Sequence, residues 1–205
     1  MMEVENHLSP PQQMAVAHAP SALRNALSIL LEFDNRMMAI ASKGQEPVLK
    51  QLRYAWWREQ LGKPTDQRPK GEPLLARIRA ENSSHHLEEA LSELLDAWDI
   101  VVSSEDADAQ SALDKACIVR GNAIFGRYAD WVGVNQLALE RARKAGAIWS
   151  RQSFGLAIAS ANLELVTGLK PLNLLLLSAG IEAETSMLRR TGKYARLFWH
   201  ALTNR

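Results

Sequence analysis

The chain has 205 residues, 47% of them hydrophobic and 23% charged, with a formal net charge of +1, the profile of one soluble globular domain with a sizeable core. One cysteine, Cys117, excludes an internal disulfide framework, and no apolar run approaches the roughly 20 residues of a membrane-spanning helix. The near-zero net charge conceals an asymmetry. Ten acids and no Lys or Arg lie between Glu81 and Asp114, whereas ten bases face only three acids from Arg141 onward. Such segments can attract an anionic partner, but mutual pairing or plain solvation is the expectation.

In chain order, the polar, proline-broken start MMEVENHLSPPQQ does not read as a secretory signal. A flexible leader is expected over 1–19, then a single helical domain over 20–205, in a cytoplasmic protein. Pro20-Ser21 opens a helix over about 21–41, with Leu23, Leu27, Leu30, Leu31, Met37, Met38 and Ile40 at helical spacing and Lys43-Gly44 as its stop. Glu46-Pro47 starts a second helix, proline being tolerated in a first turn, and Gly62-Lys63-Pro64 ends it. The stretch PTDQRPKG over 64–71 reads as a polar loop. Glu72-Pro73 opens a third helix, and 86–102 carries Leu87, Leu91, Leu94, Leu95 and Trp98 on a fourth. A further helix runs toward Trp131, and helices are expected near 134–150, 152–167, 171–188 and 192–203. Strand and hairpin signals are nearly absent. The fold class is all-α, with short connections that favour antiparallel neighbours.

Few motifs carry chemistry. There is no glycine-rich phosphate loop, CxxC pair or GxSxG elbow. His85 and His86 each have a Glu three residues on, a spacing that can serve a metal only with carboxylates from other helices, and helix capping is the expected role. The basic residues are too dispersed, and too far from aromatics, for a nucleic-acid surface. Cys117 is expected as a small buried residue, since no base is placed to activate it.

The run QLRYAWWREQL over 51–61 sets Trp56 beside Trp57 between Arg53 and Arg58, with Glu59 following. Adjacent indoles on a helix point about 100° apart and can touch two neighbouring helices. Arg53 lies four residues before Trp57, within reach of its ring face. Packing is the expected role of the pair.

That helix, with Ala22-Leu23-Arg24-Asn25-Ala26-Leu27 and Phe33 before it and Glu46-Pro47 at its start, resembles the squalene/phytoene synthase family. The likeness is greatest to a divergent branch with an EP…IR-x-x-WWR-[DE]-x-L helix. Gly71-Glu72-Pro73-Leu74, Arg120-Gly121, the run 128–133 (YADWVG) and 145–149 (AGAIW) resemble its following segments, so the match covers roughly residues 20 to 160. Arg53, Trp56, Trp57, Arg58 and Glu59 form its signature helix.

The resemblance implies a class I isoprenoid-synthase-like helical bundle, here shortened at its C-terminal end. Active members join two prenyl diphosphates head to head, using Mg²⁺ held between two aspartate-rich helices, because Mg²⁺ demands hard oxygen ligands. Anchored on Phe33, the first of those motifs falls on 33–42, where Met38, Ala39 and Ser42 replace its acids. The second begins at Gly146: Ser150 and Ser153 replace Gln and Asn, Leu156-Ala157 replaces Arg-Asp, and Ala161 replaces the later Asp. The resemblance therefore implies a retained fold without catalytic residues or metal ligands. Some divergent members act as non-catalytic assembly factors for respiratory complex I, which makes a partner protein or a prenyl lipid the expected partner. The alternative is a surviving Mg²⁺-dependent prenyltransferase, for which Asp34, Glu32, Asp96 and Asp99 are the available cavity acids. Arg189, Arg190, Lys193 and Arg196 near Leu197, Phe198 and Trp199 offer peripheral membrane contact as an alternative to an ordinary terminal helix.

Overall fold

The computed structural model describes residues 8–42, 46–81, 84–104, 109–156 and 165–182, and these contain no β-strand. The helices are α1 (Pro10–Ala17), α2 (Ser21–Ser42), α3 (Pro47–Gly62), α4 (Pro73–Ala80), α5 (Ser84–Ser103), α6 (Ala109–Gly121), α7 (Arg127–Val132), α8 (Gln136–Ser153) and α9 (Lys170–Glu182). A π-helical turn, Asn122–Gly126, joins α6 to α7 without a break. The all-α expectation holds.

Local chemistry sets most ends. Glu72 caps α4 by accepting from the Leu74 amide at 3.2 Å, with Pro73 just inside the helix. Asn135 does the same for α8 through the Ala138 amide at 2.9 Å. Gly133, at φ 77°, closes α7 in the left-handed conformation that glycine adopts without strain.

Two expectations need correction. Part of the expected leader is helical: α1 spans Pro10–Ala17 and packs on α2 and α9, with Ala15 fully buried. Gln12 steadies its start by accepting from the Ser9 amide at 2.9 Å. The loop expected over 64–71 is present, with one 3-10 turn at Thr65–Gln67, and the buried Arg68 ties it down by donating to the carbonyls of Leu61 and Lys63 and to Glu88. The division expected near 150 is absent, because α8 continues to Ser153 and turns only at Phe154-Gly155. Residues 165–169 are not helical, so the helix expected over 152–167 fails at both described ends. The remainder of that helix (157–164), the end of the one over 171–188 and all of 192–203 lie outside the described residues, as do Ala157, Ala161 and the basic C-terminal cluster.

The core forms where α2, α5, α6 and α8 meet. α6 packs against both α5 and α8, and α5 also receives α2 and α3. The apolar stripe of α2 (Leu27, Leu30, Leu31, Phe33, Met37) faces Leu91, Leu94, Leu95 and Trp98 of α5, all in one buried cluster. Burying such side chains at about 25 cal/mol per Å² drives association of helices that would not persist alone.

Two core tyrosines differ in a testable way. The Tyr54 hydroxyl donates to the Met37 carbonyl at 2.8 Å, while the buried Tyr128 hydroxyl has no partner. Tyr54→Phe is expected to cost about 1 kcal/mol by removing a buried hydrogen bond, whereas Tyr128→Phe should be neutral or slightly stabilising. Burial pushes Tyr128 up to about 12 and Tyr54 higher still. A folded state that holds its phenol protons longer than the unfolded chain is stable below the unfolded value and loses stability above it. Denaturant midpoints should therefore fall from about pH 10 upward, and less steeply in Tyr128→Phe.

Candidate functional site

Asp34 sits in the apolar stripe of α2 and is completely buried. A bare carboxylate there would be costly, and three donors answer it. Arg120 of α6 grips it bidentately, Nε to Oδ1 at 2.8 Å and Nη2 to Oδ2 at 2.6 Å. Trp98 Nε1 of α5 adds a bond to Oδ1 at 2.8 Å.

Arg120 is itself 2% exposed. Its Nη1 donates to Ser150 Oγ at 3.1 Å and Ser153 Oγ at 2.6 Å, both on α8. Trp149 lies 4.2 Å from the guanidinium carbon, Trp98 5.2 Å and Phe154 5.4 Å. A planar, weakly hydrated cation suits this place, since its edge can meet acceptors while its faces meet aromatic rings. Four helices thus converge on one ion pair.

Cys117 lies one turn before Arg120, buried, with its thiol pushed up chiefly by burial and pulled back by a Ser150 hydrogen bond. The thiol stays neutral and behaves as a small packing group, as expected.

The other acids singled out from the sequence do not join Asp34. Glu32 turns to the α4 side, where it pairs with Arg77 and accepts from Ser28. Asp96 and Asp99 share a face of α5, as their spacing requires, but that face binds Arg58 at 2.7 and 3.3 Å. Among the described residues no three His, Cys, Asp or Glu side chains lie together as a metal-binding group. Asp34 has both oxygens committed to Arg120, so these four carboxylates do not fit a Mg²⁺ site.

The signature helix also differs in detail. Trp57 is buried edge-on against Phe33 at 5.2 Å, but Trp56 is 37% exposed and touches Trp57 at 5.0 Å. The two indoles therefore do not wedge two separate helices. Arg53 is exposed, and the cation near the Trp57 ring is Arg36, at 5.8 Å. Glu59 pairs with Lys63 at 2.6 Å.

The acidic segment is largely paired, though mostly with arginines outside the basic C-terminal third. Arg68 meets Glu88, Arg127 meets Glu89 and Glu93, and Arg151 meets Asp114. His86 is exposed, and the side chain of His85 lies outside the described residues.

Sequence reasoning noted Arg120 only within a motif and missed its central role. The available signal was one arginine inside the otherwise apolar run Ala116-Cys117-Ile118-Val119 and one aspartate inside the apolar face of α2. Compared with known protein families, with characterised proteins and with solved structures, the chain matches none.

Proposed function

We propose that this chain is a non-catalytic protein of squalene/phytoene synthase type, with an isoprenoid-synthase-like bundle, that works by binding a partner protein. The observation that carries this reading is the commitment of Asp34, the one fully buried acid of α2, to Arg120. An Mg²⁺-bound diphosphate would need that carboxylate free and others beside it. Ser150 and Ser153, which stand at positions of the second metal motif in the resemblance, are spent on the same arginine.

A protein partner is favoured over a prenyl lipid by two features. Among the described residues, large side chains occupy the space between α2, α5, α6 and α8, with Met37, Trp98 and Trp149 all buried. Val48, Leu52 and Trp56 recur every four residues on the solvent side of α3 and leave an apolar stripe exposed.

Isothermal titration with farnesyl diphosphate, with and without Mg²⁺, tests the reading. No binding is expected in either condition. Mg²⁺-dependent binding with turnover would overturn it in favour of the prenyltransferase. Binding without a metal requirement would replace the protein partner with a lipid.

A further inference from the structure

The groups around Arg120 give each of its three side-chain nitrogens an acceptor. Asp34 offers two oxygens in the plane of the guanidinium, Ser150 and Ser153 offer two more at its far nitrogen, and three rings surround it. None of these groups belongs to α6, which carries Arg120: they come from α2, α5, α8 and Phe154 just beyond α8.

The frame also has bonds that do not pass through the arginine. Trp98 Nε1 holds Asp34 directly, Trp98 meets Phe154 at 5.4 Å, and Ser153 Oγ donates to the Ser150 carbonyl at 2.7 Å. Ser153 and Phe154 are only half-buried and lie where α8 ends, which gives the box a side toward the surface.

We propose that this box is a guanidinium-binding site that the chain fills with its own Arg120, and that shortening this side chain turns it into a receptor for small guanidinium compounds. The class follows from geometry. Four acceptors spread around one plane match the fork of a guanidinium, whereas an ammonium offers three donors from a single point. Stacking against Trp149 favours a flat cation for the same reason. The inference is independent of what the protein binds on its surface.

The test is Arg120→Ala titrated with millimolar ethylguanidinium, which restores the deleted atoms, followed by thermal melting and calorimetry. Saturable binding is expected in the variant and not in the wild type, with a rise in melting temperature of roughly 3–6 °C at about ten times the dissociation constant. Ethylammonium should bind at least tenfold more weakly. Equal responses to both cations, or no saturable response, would overturn the proposal.

Should Arg120→Ala not fold, the wild type supplies a second reading by NMR. The Arg120 Nε–H should exchange far more slowly than that of the exposed Arg53 and be shifted upfield by the Trp149 ring. Exchange as fast as Arg53 would mean that no closed box exists.

Discussion

Asparagine at position 34 is expected to destabilise the fold by about 3–5 kcal/mol, because it preserves the shape of Asp34 and removes only its charge. Arg120 would remain 2% exposed with no counter-ion, and its guanidinium cannot shed a proton. One amide oxygen could still accept from Arg120 or from Trp98, but the amide NH₂ would set donors against donors. For a domain whose total stability is on the order of 5–15 kcal/mol, that is a large share. Urea unfolding should show a lower midpoint at unchanged slope.

The reciprocal change, Arg120→Met, strands the buried carboxylate instead and should also be costly. Replacing both, as Asp34→Leu with Arg120→Met, should cost less than the sum of the single changes, since no charge is left stranded. A cost for Asp34→Asn below about 1 kcal/mol would show that ion pairing does not hold this core together.

Much of the bundle was legible because its signals are local. Pro47 and Gly62, Pro73, and the leucine spacing of α2 and α5 act within a turn or two of themselves, and the helices start and stop close to where they point. The acid pairing was legible only as a tendency. Ten acids without a base in one segment must find cations elsewhere, but nothing local says that Arg58, Arg68 and Arg127 supply most of them. The Asp34–Arg120 pair was the hardest to see, because its partners lie 86 residues apart and each, taken singly, resembles an isolated polar residue in an apolar stripe. The Arg53–Trp57 stack failed for a related reason. Spacing of four permits contact, but α3 turns Trp57 to the core and Arg53 to solvent, and the half-buried Arg36 of α2 takes the place instead. The π turn at Asn122–Gly126 has no one-residue signal either; it follows a glycine contact that only tertiary packing reveals.

That contact carries the second large effect. α6 and α8 cross at Gly121 and Gly146, so closely that neither position has room for a Cβ. A methyl on Gly121 would stand 2.5 Å from the Gly146 carbonyl oxygen, and one on Gly146 would stand 2.8 Å from Phe125 Cβ and from the Gly121 carbonyl carbon. Because backbone atoms cannot rotate aside as a side chain can, the helices themselves must separate. Alanine returns about 1 kcal/mol in helix propensity, against overpacking that costs about 3 kcal/mol at the upper end of its usual range, where rigid backbone is the obstacle. Gly121→Ala and Gly146→Ala are each expected to lose roughly 2 kcal/mol or more. Gly71→Ala, which meets open space, should change little. The double variant should cost less than the two single losses added, since one separation of the helices accommodates both methyls. The crossing also sets the box around Arg120. Arg120 adjoins Gly121, and Trp149, Ser150 and Ser153 follow Gly146 within two turns, so spreading the helices draws the serines and the Trp149 ring away from the guanidinium. Faster exchange at Arg120 Nε–H in Gly146→Ala, at temperatures where the protein remains folded, is the expected sign. Unchanged exchange in a destabilised Gly146→Ala would mean that the crossing and the ion pair are separate features of the core.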